Sequence, residues 1–354
     1  MGGVENCVFS LARELTHQGV EVEVLTQGSR QSVADGKGAG YRVRTFRELI
    51  PSSAYPVAPG LWRWLSRNQE SFDVIHGHNY HGIAALGASL LNRPFVLTPY
   101  YHGPGHTPLA KAVHLGYRYI GGVELGRSDA IICITSAEAD HLVRDQPRAR
   151  GKVKVVPITV EVELIRATAG FLVEMPVVLS VGRLTPHKRV EVTVEAMSLL
   201  GDSVQFVVVG DGPERASVEA LSERLGVDAR FVGEVADQTL RRWLRTADVM
   251  VACSERESFG MTVLEGLVAG ARLVATDIPA HREVVRTSGA EGSTIFVSRD
   301  PTAEEVAAAV ATQLVRGSRT ERELSIASRT WNEVARLTMD IYENVLQNPN
   351  SHKG

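Results

Sequence analysis

Residues 255–277 read ERESFGMTVLEGLVAGARLVATD, directly after the apolar run VMVACS at 249–254. The first run has the length and composition of a buried strand, and the apolar spacing from Met261 onward is that of a helix. Phe259 and Gly260 form the turn between them. A helix that begins near Met261 and Thr262 presents free backbone N–H groups and its positive dipole end to whatever lies in front of it, which suits an anion such as a diphosphate. Glu257 stands before the helix and Glu265 one to two turns into it, so two carboxylates bracket the helix start. In glycosidases paired carboxylates act as acid and base. Here two acceptors for sugar or ribose hydroxyls fit better, while Glu265 taken alone reads equally well as one more exposed helix glutamate.

Working outward, the same alternation of short Val- and Ile-rich runs with helix-length amphipathic segments fills most of the chain, which reads as βα units and parallel sheets. Strands are expected at 20–26, 41–45, 74–77, 94–99, 130–134 and 153–157, and again at 177–182, 204–210, 229–233, 249–253, 272–276 and 294–297. The restart, and a length of 354 residues, predict two α/β domains, 1–165 and 166–328, with Val160–Pro176 as the hinge between them. A last helix over 329–347 opens at TWNE, where Thr330 and Glu333 have capping-box spacing. Trp331, Val334, Thr338, Ile341 and Val345 then form one mostly apolar stripe.

Two more strand ends carry candidate groups. GRLTPHKR at 182–189 follows VVLSV and places Gly182 and Arg183 at the strand's C-terminal edge and Lys188 in the next loop. Ligands of open α/β sheets bind at that edge, where an Arg and a Lys can hold a diphosphate. Two solvated surface cations are the plainer reading. VVVGDGPE at 207–214 ends in Gly210, Asp211 and Gly212, glycines that let a ligand approach the backbone. Arg215 stands where a dinucleotide fingerprint needs its last glycine, so a nicotinamide cofactor is poorly supported. In the first half, Gly2 and Gly3 precede a helix expected over 5–18, and His76, His78 and His102 lie at strand ends. No carboxylate completes a metal-ligand set around these histidines, which read first as structural residues.

Composition narrows the class. Hydrophobic residues make up 44% and charged residues 22%, with a net charge of -3, as in an ordinary soluble enzyme. Nucleic-acid binding would call for a basic excess that is lacking here. Cys7, Cys133 and Cys253 lack metal-ligand spacing and read as buried thiols of a cytoplasmic protein. No apolar stretch is long enough to span a bilayer, and the start carries no leader pattern.

Together the segments GGVE, DVIHGH, LTPYYHG, ITSAEAD, VGRLTPHKR, VVVGDGPE, RFVGEV, ESFGMTVLEGLVAG and TWNEVA resemble, in order, family 4 of the retaining glycosyltransferases. The resemblance implies the GT-B fold, two Rossmann-like doubly wound domains facing a cleft, and transfer of a sugar from a nucleotide-sugar to a glycan, lipid or small-molecule acceptor. It implies that Arg183 and Lys188 bind the donor diphosphate and that Glu257 contacts the transferred sugar, helped by the backbone from Phe259 through Gly260 and Met261 to Thr262. Glu265 would hold the ribose, Val232 to Val235 would lie along the base, Gly2 and Gly3 would close over the phosphates, and His102 would face sugar and acceptor. No Asp-x-Asp occurs, so neither metal nor cofactor is expected and the leaving charge falls to Arg183, Lys188 and the helix start.

Two departures stand out: KVVPITVEVE lacks the family's Pro-Asn-Gly turn, and the chain opens on the GGVE loop, so the family's first strand is expected to be missing. The alternatives are an inactive or regulatory paralogue, a truncated product, and a nucleotide-sugar 2-epimerase. PVAPGLWRWLSRN at 56–68, with Trp62 and Trp64 beside Arg63 and Arg67, suits either peripheral contact with the inner face of a membrane or packing against its own domain.

Overall fold

The structure, a computed structural model, describes residues 3–36, 38, 40–49, 57–80, 82–101, 121–316 and 330–348. The chain divides into two compact units, Met1–Ile158 with Trp331–Gly354, and Thr159–Thr330. The division falls a few residues before the expected position 165. The expected hinge is largely part of the second unit, where it forms a short helix, Val162–Ala167, and is fastened downstream of it. Phe171 donates its N–H to Thr246 Oγ1 at 2.7 Å and its ring lies 4.5 Å from that of Trp243.

Among the described residues unit one holds two sheets. β1 (Glu23–Gly28), β2 (Ser32–Asp35) and β3 (Arg42–Arg47) lie in the order β1-β3-β2, with β1 parallel and β2 antiparallel to β3. β4 (Ile75–His78), β5 (Phe95–Thr98), β6 (Ala130–Cys133) and β7 (Val153–Val155) form a parallel sheet in sequential order. Among the described residues no strand joins β1 to β4, and each ends its sheet. The first helix runs Gly3–His17, so Gly3 opens the helix instead of preceding it. β1 starts three residues later than expected because Val20 is used at the helix end, its N–H donating to the Leu15 carbonyl across Gly19 at φ +87°. β2 gave no sequence signal, being four residues long with Val33 exposed.

The Trp331–Gln347 helix packs on the Gly3–His17 helix, and the five stripe residues Trp331, Val334, Thr338, Ile341 and Val345 are all buried. Between these helices and β4–β7 lies a cavity of about 20 Å³, lined by Cys7, His78, Tyr100, Ile132, Trp331 and others. That is room for one water molecule.

Unit two is a single parallel sheet of β8 (Val177–Val181), β9 (Gln205–Val209), β10 (Ala229–Gly233), β11 (Val249–Ala252), β12 (Arg272–Thr276) and β13 (Thr294–Val297), in the order β10-β9-β8-β11-β12-β13. Central strands buried on both faces explain the near-continuous apolar runs that made them legible. On one face Val178, Phe206, Val208, Val251 and Val274 pack against Val194 and Met197 of the Val190–Leu200 helix and Val306 and Val310 of the Ala303–Val315 helix. The order reverses direction between β8 and β11. Chain connections on the two sides of that point run to opposite faces, which opens a crevice beyond the carboxyl ends of those two strands.

Candidate functional site

The loops that leave β8 and β11 meet at this crevice. After β8, Pro186–Lys188 makes one 3-10 turn, closed by Arg189 in the left-handed region at φ +50°. The turn swings Lys188 back over Gly182, and its Nζ donates to Glu257 Oε1 at 2.5 Å. Glu257 is placed by the loop after β11. Ser254 Oγ donates to the same carboxylate oxygen at 2.9 Å, and the Glu255 N–H donates to the His187 carbonyl at 2.8 Å, which ties the two loops together. Burial opposes ionisation of Glu257, but Lys188 outweighs it with help from the Ser254 hydroxyl, so the carboxyl is held below its usual range. Arg183 is exposed and its side chain makes no hydrogen bond or ion pair with the described residues.

Gly260, at φ +95°, caps the Met261–Val268 helix without a side-chain cap, and no acidic residue occupies its first turn. The N–H groups of Met261 and Thr262 are therefore left to the crevice. Phe259 is buried beneath the turn and anchors it. Glu265 lies further along the same helix, half-buried, with no hydrogen bond to its carboxyl among the described residues. Burial pushes that carboxyl up to about 7, Asp237 adding to the shift and Arg241 opposing it.

Gly210 and Gly212 were expected to let a ligand approach the backbone, and the structure shows a close approach of the chain itself. A Cβ on Gly210 would sit 2.0 Å from the Gly182 carbonyl oxygen, and one on Gly212 2.2 Å from that of Leu184. What approaches these glycines is the chain's own β8 loop. Hydrogen bonds from Gly182 N to Val209 O, Leu184 N to Asp211 O and Gly210 N to Gly233 O lace the ends of β8, β9 and β10 into one rim. Asp211 accepts from Gly212 N at 2.7 Å and from Arg215 Nη1 at 3.0 Å, contacts that stiffen the rim. Val232 precedes Gly233 and Val235 stands two residues after it; both are half-buried, with a register shift in β10 at Val232.

Gly2 and His102 lie outside the described residues, and Gly3 is an exposed residue of unit one. His76 is structural, with its ring nitrogens 2.7 Å from Tyr342 Oη and 2.8 Å from Thr98 Oγ1. His78 approaches Tyr100 Oη at 3.3 Å. Trp62 and Trp64, expected either at a membrane or packed on their own domain, are half-buried and make contacts within unit one. Trp64 lies between Phe46 and Phe72, with the Arg44 guanidinium 4.4 Å above it, and Trp62 covers Gly87. Cys7, Cys133 and Cys253 are all buried, and burial pushes Cys253 up to about 11. Among the described residues no group of three metal-ligating side chains occurs, and no helix is long and apolar enough to cross a membrane.

Sequence reasoning missed Ser254, Thr276, His281, Asp237 and Arg241. His281 left the one usable signal, a histidine three residues before Val284 on the buried face of the Pro279–Thr287 helix.

A doubly wound sheet with a cation, carboxylates and an open helix start at its switch point defines a ligand-binding α/β protein of the Rossmann-like class. The description "Glycosyltransferase Family 4" matches residues 1–164 and "Glycosyl transferases group 1" residues 161–331, so the chain belongs to this glycosyltransferase family and is a sugar-transferring enzyme. It is 28% identical over 386 residues to a D-inositol 3-phosphate glycosyltransferase of Xylanimonas cellulosilytica, covering 96% of this chain and 91% of that one. With a phosphatidyl-myo-inositol mannosyltransferase of Propionibacterium freudenreichii it shares 29% over 378 residues, 100% of this chain and 94% of that one. Among solved structures, a sucrose-phosphate synthase from Thermosynechococcus elongatus superposes with TM-score 0.79 at 19% identity, over 98% of this chain and 94% of that one. Anabaena HepE in complex with UDP and glucose gives 0.69 at 17%, over 99% and 96%. The fold is GT-B.

Proposed function

We propose that the enzyme transfers a hexose with retention of configuration from a nucleoside diphosphate sugar, without a metal ion. The observation that carries this reading is the convergence of Lys188, Glu257 and the uncapped helix start on the β8–β11 crevice. Lys188 and Arg183 meet the diphosphate, with the free N–H groups of Met261 and Thr262 completing its shell. Charge that grows on the leaving diphosphate is then stabilised by groups already in place. Glu257 accepts from hydroxyls of the transferred sugar and Glu265 from the ribose. A UDP-linked donor is supported by the UDP bound in HepE. An inositol-bearing acceptor, as a free phosphate or a lipid, is supported by the two relatives. Thermal-shift screening with UDP- and GDP-sugars, followed by transfer to inositol phosphates in excess chelator, tests the whole reading. No stabilisation by any nucleotide sugar would sink it.

Glu265 gives this site a pH signature. Its folded-state pKa lies above the value of an unfolded glutamate, so its contribution to stability is full below about 4.5 and is lost as pH rises through about 7. Ribose hydroxyls donate to the ionised form, so UDP affinity runs the other way. Between about pH 6 and pH 8, UDP binding by calorimetry should tighten by up to about tenfold from this group, and Glu265→Gln should remove that component. Equal pH dependence in parent and variant would remove Glu265 from the ribose site.

A further inference from the structure

His281 lies under the Lys188–Glu257 pair and is only 1% exposed. It is the third residue of the Pro279–Thr287 helix, which follows β12. Its Nδ1 is 3.0 Å from the Thr276 carbonyl oxygen and 3.3 Å from Thr276 Oγ1. A carbonyl can only accept, so in the neutral ring Nδ1 carries the hydrogen and Nε2 the lone pair. No hydrogen bond to Nε2 forms among the described residues. The ring edge also abuts the cap of the Met261–Val268 helix, since Cδ2 lies 3.3 Å from where a Cβ on Gly260 would stand. Thr276 in turn donates from Oγ1 to the Ser254 carbonyl at 2.6 Å, and Ser254 Oγ holds Glu257. His281 is thus fixed by one short chain of contacts to the carboxylate and by its ring edge to the helix start.

Burial keeps this imidazole neutral, and two charges act on it in opposite senses: Glu257 draws a proton toward it and Lys188 repels one. The adjacent cation, Arg282, is turned to the surface and paired with Asp277. Of Glu257 and Lys188, Glu257 has the stronger influence and the Thr276 carbonyl adds to it, but burial outweighs them. An arriving diphosphate pairs with Lys188 and adds at least two negative charges, which leaves the attraction of Glu257 unopposed. At an effective dielectric near 20, one charge within about 8 Å moves a proton equilibrium by on the order of tenfold.

We propose that His281 is the proton-accepting counter-charge of the donor site, neutral when the crevice is empty and protonated at Nε2 when a nucleoside diphosphate occupies it. A buffer acid supplies the proton and an Nε2–H bond forms. His281 touches neither sugar nor reacting atoms. It is a positioning residue that holds Glu257 through Thr276 and Ser254 and offsets the diphosphate charge from below. The inference rests on the assignment of the diphosphate to Lys188 and the helix start.

The test is a proton titration of the enzyme labelled with 13C at histidine Cε1, free and saturated with UDP, with GDP as second probe. The His281 resonance is assigned by its loss in His281→Asn, whose amide keeps the donation to the Thr276 carbonyl, and again in His281→Gln. The expected result is a His281 pKa at least about one unit higher in the UDP complex. A second measurement compares UDP affinity at about pH 6 and pH 8 in a Glu265→Gln background, where that carboxyl no longer titrates. The acid-to-neutral affinity ratio should be larger, by up to about tenfold, when His281 is retained than when His281→Asn is added to that background. An unchanged or lowered His281 pKa in a UDP-saturated sample, or equal ratios, would overturn the proposal while leaving the donor site intact. UDP and GDP binding that is absent would overturn the donor-site reading and the proposal with it.

Discussion

Lys188→Ala is expected to lower kcat about a hundredfold, equivalent to roughly 3 kcal/mol, with donor KM changed only a few-fold. Bond breaking to the diphosphate adds negative charge where the Lys188 Nζ sits, so the lost interaction grows toward the transition state and appears in kcat. The same change strips Glu257 of its cation. That carboxyl is held down mainly by Lys188 against the effect of burial, so in the variant its pKa rises and activity is lost further as pH falls toward the new value. Removing one member of a buried pair leaves the other uncompensated, so Lys188→Ala with Glu257→Gln should cost less than the two changes added. Steady-state kinetics in excess chelator, with donor varied, measures all of this. Parental kcat in Lys188→Ala would remove the assignment, and loss of parental activity on chelation would overturn the metal-free reading.

Gly210→Ala should destabilise the second unit by about 3 kcal/mol or more and lower its Tm by roughly 10 °C. Gly210 combines φ +130° with a backbone oxygen 2.0 Å from the would-be Cβ, and neither can relax without pulling the β8 loop away from β9. Gly226→Ala is the control. Gly226 caps the Arg215–Leu225 helix at φ +68° with nothing within 4 Å, so its substitution carries backbone strain alone and should cost about 1 kcal/mol. Calorimetry on the two variants separates clash from strain. A Gly210→Ala protein as stable as Gly226→Ala would show that the rim is not closely packed.

The parallel sheets were legible because their strands are buried on both faces, and Val177–Val181 or Val249–Ala252 then read as unbroken apolar runs. β2 was not, since an edge strand of four residues with Val33 outward leaves no such mark. At the site, Lys188, Glu257 and the helix start were found because each adjoins a strand end. Their pairing was not, because a bond across 69 residues depends on the strand order. Gly210 and Gly212 were recognised as close-approach glycines, but their fit against the β8 loop was not legible, since sequence shows that something comes near and not what. The Trp62 and Trp64 segment shows the same limit: amphipathic spacing marks a helix with two faces, and only tertiary packing decides what covers them.

The interleaved path of the chain bears on the timing of synthesis. Unit two is continuous, Thr159–Thr330, whereas unit one needs Trp331 and its helix to cover Ile132, Ile134 and Val156. A ribosome adding roughly 5–20 residues per second leaves that apolar surface open for on the order of 10 to 35 s, while the later half can already fold. For that interval the nascent first half exposes apolar surface of the kind that aggregates, and cotranslational aggregation should respond to translation speed between Ile158 and Trp331 more than to the stability of the finished enzyme.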